Sequence, residues 1–398
     1  MKVNAGGNIA PEQVIGRDAF INNMWRIIEQ QSVILTSERR IGKTSIIRKM
    51  KEEPRESITV ILRDVEGIST IKEFVTRLVD DLSSHQAMTT KGIELLKKVR
   101  NELSDSKFFG VTVAKKADPD WIFVLEDMIK KLANIYEAED RKLLLIWDEF
   151  PWMLQKIIKN EGNTAAANLL DNLRLARQNH SRVRMIFTGS IGLHHVLQDL
   201  KAASLANEPT NDMQTINLSP LKLEHSIELT NQLLEGENLV AVEEDFAKAL
   251  SQAVDNVPFY IHHMINAFLN KGDNIATQNI EPMIQDAFVD ANDPWHLRHY
   301  DERLQEYYGE QYQFYQVILD ILAQEEQGLD YEKLNNLLLL SPTVTNNQTL
   351  MDYLDTKNFL LEALRLLAAD HYLTKDSENN TYNFSFSLIK QWWRIHRK

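Results

Sequence analysis

Short apolar runs alternate with segments of helical spacing along the first half of the chain. Four runs are apolar almost throughout and a fifth is a weaker candidate: residues 32–36, 57–62, 142–147, 184–188 and 213–218. Strands buried on both faces of a parallel sheet have this character, whereas half-exposed strands alternate between apolar and polar residues. Amphipathic helical spacing lies between these runs at residues 43–51, 71–83 and 165–178. This order predicts an α/β domain built on a five-stranded parallel sheet.

The second half of the chain is mostly helical. Helical spacing runs from Leu221 to about Ala291, with a break at Asn256, Val257 and Pro258, and Ala-Asn-Asp-Pro at 291–294 has the composition of a linker. From about Gln311, three helical segments precede two short β-prone runs that a polar turn separates. Helices followed by a two-stranded hairpin are typical of a winged-helix domain.

These changes of pattern predict three domains. The α/β core occupies residues 1–220, a helical domain 221–295 and a winged-helix-like domain 296–398. A chain of 398 residues is long enough for this division, because single cores rarely grow beyond roughly 250–300 residues. Within the core, residues 105–118 alternate around Gly110, which predicts a small hairpin insertion.

The most informative polar residues directly follow the first predicted strand. Residues 37–44 read SERRIGKT, which matches the phosphate-binding pattern G-x-x-x-x-G-K-[ST] except that Ser37 replaces the first Gly. In this pattern Gly42 allows the turn that points backbone N–H groups at phosphates, Lys43 reaches the β and γ phosphates, and the Thr44 hydroxyl binds Mg²⁺. A Gly-Lys-Thr tripeptide alone would equally fit a turn, but a strand before it and a helix after it are the context that this motif requires.

The whole loop therefore becomes a predicted nucleoside triphosphate site with Mg²⁺. Its residues are Ser37, Glu38, Arg39, Arg40, Ile41, Gly42, Lys43, Thr44 and Ser45. The two arginines have alternative roles, contact with phosphate or an ion pair with an acidic neighbour. We favour the ion pair for Arg39 and leave Arg40 open.

Two acids follow the third predicted strand. Asp148 and Glu149 come directly after an apolar run, and ligands of open α/β sheets bind beyond the carboxyl ends of the strands. Asp148 can hold Mg²⁺, which prefers oxygen ligands, and Glu149 can polarise the water that attacks the γ phosphate. The alternative is an acidic pair that only complements the dipole of the next helix. With the loop upstream, we favour the catalytic interpretation.

The fourth predicted strand ends in Thr188, Gly189 and Ser190. A hydroxyl at this edge can contact the γ phosphate or the attacking water, and Ser190 is our candidate for that role. Either Ser190 or Thr188 fits equally well as the N-cap of the next helix.

Several of these segments together resemble a known family. The run Val14-Ile15-Gly16-Arg17-Asp18, the loop region 32–50, the strand and acids at 143–154 and residues 185–193 resemble bacterial and archaeal ATPases of the STAND branch of AAA+-related P-loop proteins. The archaeal-ATPase-like group is the nearest in pattern, since its loop reads R-R-x-G-K-T-S. The resemblance covers about residues 8–221.

The resemblance implies the cofactor and further site residues. It implies ATP rather than GTP, a helical lid, a winged helix, and positions near the adenosine for Gly16 and Arg17. Without it, Arg17 would be an ordinary surface residue. More weakly, residues 256–260 (NVPFY) are similar to the Gly-x-Pro motif with which the lid contacts nucleotide, so Pro258 is a predicted binding residue. Asn256 stands where the family has Gly.

A gap in the arginine distribution bears on the rate of hydrolysis. No arginine lies between Arg184 and Arg298 in the sequence. Ring-forming AAA+ proteins take an arginine finger from this part of the chain, and such a finger accelerates hydrolysis by about 10³–10⁵-fold. A lysine lacks the planar fork that an arginine presents. We therefore expect slow hydrolysis, suited to a switch rather than to a fast motor.

The composition of the chain limits where the protein can be located and what it can bind. The chain has no cysteine, which excludes disulfides and cysteine-ligated zinc. Residues 1–11 lack the apolar core of a signal peptide and no apolar run is long enough to span a bilayer, so we expect a cytoplasmic protein without a membrane partner. A net charge of −13 disfavours general attraction to nucleic acid, so a bound polyanion must be held by local cations and N–H groups.

These observations lead to one function and two alternatives. The first is a STAND-type switch that binds and hydrolyses ATP, with the nucleotide state controlling lid closure and association with a protein partner or with itself, as in signalling or anti-phage defence. One alternative is a DNA-associated ATPase that uses the winged helix, and the other is a scaffold that binds nucleotide without turnover. DNA binding is not favoured, because Lys357 and Arg365 of the predicted recognition helix give little positive charge.

Overall fold

The chain divides into two units, each assembled from more than one stretch of sequence. A computed structural model describes residues 1–86, 88–104, 119–189, 192–203, 205, 208–272 and 274–397. The N-terminal unit consists of Ile9–Ser37 and Gly42–Leu218. The C-terminal unit consists of Met1–Asn8, Glu38–Ile41 and Ser219–Lys398. The central residues of the predicted phosphate-binding loop thus pack with the C-terminal unit.

The N-terminal unit alternates strands and helices. In chain order its elements are α1 (Asp18–Ile28), β1 (Val33–Thr36), α2 (Lys43–Glu52), β2 (Ile58–Asp64), α3 (Ile71–Ser84), α4 (Thr90–Ser104), α5 (Trp121–Ala138), β3 (Lys142–Asp148), α6 (Phe150–Glu161), α7 (Asn163–Asn179), β4 (Val183–Thr188), α8 (Leu193–Ala202) and β5 (Gln214–Asn217). The predicted hairpin at 105–118 lies outside the described residues.

The five strands form one parallel sheet, which confirms the predicted α/β fold. Their order across the sheet is β2-β3-β4-β1-β5, and every pair of neighbours is parallel. Strand β1 lies inside the sheet between β4 and β5, so the loop that follows β1 leaves from an interior position. The register pairs Asp64 of β2 with Asp148 of β3 at the carboxyl edge.

The apolar runs are continuous because both faces of the sheet are covered. Leu143, Leu145 and Trp147 of β3 belong to a core cluster formed with residues of α3 to α8. The intervening Leu144 and Ile146 are also fully buried, and successive strand residues point to opposite faces. Near the carboxyl edge, the ring of Phe187 stacks on that of Phe150 with centroids 4.0 Å apart.

The C-terminal unit is helical with one small sheet. Its elements are α9 (Leu223–Gly236), α10 (Phe246–Ala253), α11 (Pro258–Lys271), α12 (Ile280–Val289), α13 (His299–Tyr308), α14 (Tyr312–Gln324), β6 (Leu329–Asp330), α15 (Tyr331–Leu340), α16 (Pro342–Thr345), α17 (Gln348–Asp355), α18 (Phe359–Ala369), β7 (Leu373–Asp376), β8 (Thr381–Phe384) and α19 (Ser387–His396).

Local signals explain the boundaries that the sequence marked in this unit. Pro258 begins α11, where its missing N–H and fixed φ are tolerated, and Asn256 before it has a left-handed φ of 57°. Strands β7 and β8 form the predicted antiparallel hairpin. The sequence did not indicate β6, a two-residue strand that pairs with the other edge of β8.

None of the described helices combines the length and the apolar character that crossing a bilayer requires.

Candidate functional site

Lys43 ties the two ends of the loop together within the N-terminal unit. Its ammonium donates hydrogen bonds to the backbone carbonyl oxygen of Ser37 at 2.8 Å and to the Ser37 Oγ at 3.1 Å. Both residues are buried. Ser37 is not among the residues with positive φ, so a serine fits the first position of the motif without backbone strain. Its hydroxyl gives Lys43 an acceptor that a glycine would lack.

Gly42 sets the turn from the loop into α2. Its φ of 107° and ψ of 26° lie in the left-handed region, where a side chain is strained even though no atom lies within 4 Å of an added Cβ. Helix α2 begins at the next residue, so the N–H groups of Lys43, Thr44 and Ser45 lie in its first turn. The hydrogen-bond ladder of an α-helix does not use the first N–H groups, so this end of α2 is suited to binding an anion.

Thr44 and Asp148 meet across the carboxyl edge of the sheet. The Thr44 hydroxyl donates to Asp148 Oδ2 at 3.0 Å, and the N–H of Glu149 donates to Oδ1 at 3.2 Å. Burial raises the pKa of Asp148, against the lowering effects of the Thr44 hydrogen bond and of nearby Lys43, while the charge of Asp64 raises it further. A buried carboxylate beside a hydroxyl supplies the hard oxygen ligands that Mg²⁺ prefers, so these residues fit the predicted ion.

Glu149 adopts a backbone conformation that is unusual for a glutamate. It precedes α6 with a φ of 57°, and its side chain makes no capping hydrogen bond to that helix. A single non-glycine residue in this region costs about 1–2 kcal/mol, and such strain concentrates at functional sites. The catalytic role of Glu149 remains a prediction, as does the alternative that it only complements the dipole of α6.

A pocket of about 830 Å³ opens beside these groups within the N-terminal unit. Thr44, Asp148 and Glu149 line it, together with Asp64 and Arg48. Sequence reasoning missed Asp64, although it ends an apolar strand just as Asp148 does. The register of β2 and β3 places the two aspartates side by side. Asp64 thus joins Asp148 and Glu149 at this edge of the sheet.

Solved structures share this architecture along the whole chain. The Walker-type ATPase PABY2304 of Pyrococcus abyssi aligns with a TM-score of 0.62 and 17% identity over 99% of this chain and 100% of its own. The ORC2 protein of Aeropyrum pernix, in its ADPNP–ADP complexes, aligns with a TM-score of 0.51 and 12% identity over 98% and 97%. This chain has the fold of a Walker-type P-loop ATPase. No protein-family profile matches the sequence, and a search of curated proteins also finds no match.

In this Walker-type fold the remaining loop residues belong to the C-terminal unit. Arg40 has a left-handed φ of 69°, and its guanidinium lies 3.8 Å from the centre of the Phe259 ring, next to Pro258. The Arg40 guanidinium thus contacts an aromatic ring, and its two alternative roles, contact with phosphate or an ion pair, stay open. Ile41 is buried, whereas the Arg39 side chain is exposed and its predicted ion pair remains a prediction.

Glu38 is also buried, and it pairs with Arg303 at 3.1 Å. Sequence reasoning missed Arg303, because no local motif marks it and 265 residues separate it from Glu38.

The resemblance placed Gly16 and Arg17 near the adenosine. In the structure Gly16 has a left-handed backbone and Arg17 is buried. Gly16 has a φ of 68°, and Arg17 at the start of α1 is only 7% exposed. Burial lowers the pKa of Arg17 to about 10. The alternative that Arg17 is an ordinary surface residue is wrong. Their contact with an adenosine remains a prediction.

Ser190 lies outside the described residues, so its predicted contact with phosphate remains a prediction. The preceding Gly189 lies close to the acids, since an added Cβ would be 2.7 Å from Pro151 Cδ and 3.5 Å from Glu149 Oε2. The chain that leaves β4 therefore passes directly beside Glu149.

Replacing Asp148 with asparagine tests whether its ionised form is costly to the fold. A raised pKa means that the folded protein binds the proton more tightly than the unfolded chain, so ionisation destabilises the fold as pH rises above about 3.9. We expect Asp148→Asn without nucleotide to melt at a higher temperature than the parent protein at pH 8, with a difference that shrinks as the pH falls through the raised pKa of Asp148. Thermal unfolding followed by circular dichroism measures this.

The matched control is Asp171→Asn, which changes an exposed aspartate of α7. It should leave the melting temperature unchanged across the same pH range. A destabilised Asp148→Asn at pH 8 would contradict the cost that burial imposes on the Asp148 carboxylate.

Proposed function

We propose that this chain binds ATP with Mg²⁺ in the loop from Ser37 to Ser45, hydrolyses it slowly, and uses the nucleotide state as a switch. One observation carries the proposal. The Lys43 ammonium bridges to Ser37 while the Thr44 hydroxyl meets Asp148 at the same edge of the sheet. A lysine, a helix N-terminus and an oxygen pair for a cation then surround one position, which is the chemistry that a triphosphate needs.

Each residue has a defined role in this proposal. The N–H groups of the loop and the Lys43 ammonium bind the phosphate oxygens, and Thr44 and Asp148 hold Mg²⁺. The ion supplies charge neutralisation on the phosphates when it is bound. Glu149 orients and polarises the attacking water, and Gly189 allows the chain after β4 to pass close to Pro151 and the Glu149 carboxylate.

Slow turnover follows from the distribution of arginines. No arginine lies between positions 184 and 298, where an arginine finger would be expected. Asp148 and Glu149 support hydrolysis, but stabilisation of the charge on the transferred phosphoryl group would come from Lys43, Mg²⁺ and the helix N-terminus alone. A bound triphosphate would then persist long enough to hold one conformation.

The C-terminal unit supports the STAND interpretation of this switch. We assign α9 to α12 to a lid and α14 to α19, with the sheet β6-β8-β7, to a winged helix. ATP binding would close the lid, expose a surface for a protein partner or for a second copy, and hydrolysis would reset it. We place this activity in the cytoplasm, in a signalling or defence role. DNA binding stays unfavoured, because Arg365, the single basic residue of α18, is paired with Glu362 at 2.9 Å.

Nucleotide binding should depend on Lys43. We expect Lys43→Ala to weaken MgATP binding by about ten- to hundredfold, the range for losing hydrogen bonds to a charged group. Isothermal titration calorimetry measures the affinity. Lys131→Ala removes an exposed lysine of α5 and should bind like the parent protein. A parent protein that takes up no ATP in the presence of magnesium would refute the proposed site.

Turnover should depend on Glu149. Glu149→Gln keeps the shape of the side chain but cannot accept a proton, so MgATP should still bind while phosphate release falls by about 10²–10⁴-fold. A continuous phosphate-release assay with purified protein measures the rate. Equal rates for the parent and the variant would exclude hydrolysis at this site and leave the nucleotide-binding scaffold as the function.

The switch should be visible in the size of the protein. Glu149→Gln with saturating MgATP should differ in mass or in radius of gyration from Lys43→Ala under the same conditions, since only the first holds a triphosphate. Light scattering after size-exclusion chromatography and small-angle X-ray scattering give the two quantities. Identical profiles for both variants, with and without MgATP, would contradict the switch even if hydrolysis is confirmed.

A further inference from the structure

The C-terminal unit contains a buried ion pair that involves the phosphate-binding loop. Arg303 of α13 donates from Nη1 to Glu38 Oε1 at 3.1 Å and from Nη2 to Oε2 at 3.4 Å. The side chains are only 7% and 2% exposed. Opposite charges so completely removed from water stabilise little by themselves, because desolvation offsets their attraction. We therefore expect this ion pair to have a role other than stabilising the fold.

Besides Glu38, two further hydrogen-bond acceptors hold the Arg303 guanidinium in place. Its Nε donates to the Tyr372 hydroxyl at 3.1 Å and its Nη2 to the carbonyl oxygen of Asp370 at 3.2 Å. The Tyr372 hydroxyl in turn donates to the carbonyl oxygen of Tyr300 at 2.6 Å. The guanidinium can therefore not follow Glu38 elsewhere without breaking several bonds.

Glu38 transmits this anchoring to the backbone of the loop. Its Oε1 also accepts a hydrogen bond from the N–H of Arg39 at 2.8 Å. Two residues further on, Arg40 is fixed by its contact with Phe259. Side chains at two positions of the loop thus hold residues 38–41 within the C-terminal unit.

Arg303 also neutralises the negative charge of the Glu38 carboxylate. A carboxylate at the second residue of a loop that binds a triphosphate would repel its ligand. Burial alone would raise the pKa of Glu38, but the attraction of Arg303, with His299 and His371, outweighs burial and holds that pKa below its usual range. The carboxylate therefore stays ionised, and the adjacent guanidinium is the group that cancels its field.

We propose that Arg303 is a positioning residue for the phosphate-binding loop, which acts through Glu38 to hold the loop in place and to neutralise the carboxylate beside the triphosphate. This inference rests on the proposed binding of ATP. It assigns to α13, outside the loop motif and outside the arginine-poor segment, an influence on nucleotide affinity that acts through Glu38.

The proposal predicts a charge-specific loss of affinity in Arg303→Met. The uncompensated Glu38 charge should weaken MgATP binding by about ten- to thirtyfold, the effect of one unit charge on another at a distance of roughly 8–12 Å and an effective dielectric constant of roughly 20. MgADP, with one charge fewer, should lose less. Removing the carboxylate as well, in Glu38→Gln/Arg303→Met, should restore most of the affinity. Calorimetry with both nucleotides measures these losses, and circular dichroism establishes that each variant is folded.

Two further variants make the outcome independent of how well Arg303→Met folds. Glu38→Gln alone should bind MgATP at least as tightly as the parent protein, because the introduced amide oxygen can still accept hydrogen bonds from Arg303 and from the Arg39 N–H while the negative charge is gone. Arg365→Met is the matched control, since it removes an exposed arginine of α18 from the same unit and should change nothing.

The results separate this inference from the proposed function. If the parent protein binds no MgATP, both fail. If the parent protein binds MgATP, and a folded Arg303→Met binds MgATP and MgADP as tightly as the parent protein does, only the role of Arg303 is overturned. Several-fold weaker binding by Glu38→Gln, or an equal loss of MgATP and MgADP in Arg303→Met that the double variant does not restore, would overturn it as well.

Discussion

The parallel pairing of β3, β4 and β1 places the loop after β1 and the acids after β3 at one edge of the sheet. Strand β4 separates the two, and the Thr44 hydroxyl reaches Asp148 from the first turn of α2. A slip of one residue in β1 or β3 would turn their side chains to the opposite face and separate these groups. The close packing of Trp147 with Phe150 and Phe187 resists such a slip, so the packing of the core maintains the geometry of the site.

Two cations are buried near the loop although the chain as a whole is acidic. The chain carries a net charge of −13, yet Lys43 is buried between the loop ends and Arg303 is buried against Glu38. Burial removes these cations from the screening of water, which makes their interactions stronger than those of surface residues. In the proposed function the buried Lys43 and backbone N–H groups hold a polyanion on an acidic protein, while Arg303 offsets the charge of Glu38.

In the proposed switch, the loop itself carries the contacts that a bound nucleotide would change. Ser37 and Gly42 belong to the N-terminal unit, whereas Glu38–Ile41 pack in the C-terminal unit. A ligand that changes the conformation of this short segment would therefore act on the contacts of Glu38 with Arg303 and of Arg40 with Phe259. Such differential contacts are what a nucleotide needs in order to shift a conformational equilibrium.

The sequence by itself determined the strands, the loop motif and the two acids, because each of these is encoded by neighbouring residues. Continuous apolar runs mark buried parallel strands, and Gly42, Lys43 and Thr44 form a motif that requires only a strand and a helix around it. Helices such as α5 and α6 were not predicted. In α6 the proline and aromatic residues directly after Glu149 obscure the helical pattern that tertiary packing stabilises.

Only the tertiary structure decided the partners that lie far apart in the chain. The strand register brought Asp64 beside Asp148, the folding of the N-terminal unit buried Arg17, and the C-terminal unit joined Arg303 to Glu38 across 265 positions. Periodicity and motifs report on contacts within about two turns of a helix or along one strand. Pairing between distant residues depends on which surfaces pack together, and no local pattern in a single sequence records that.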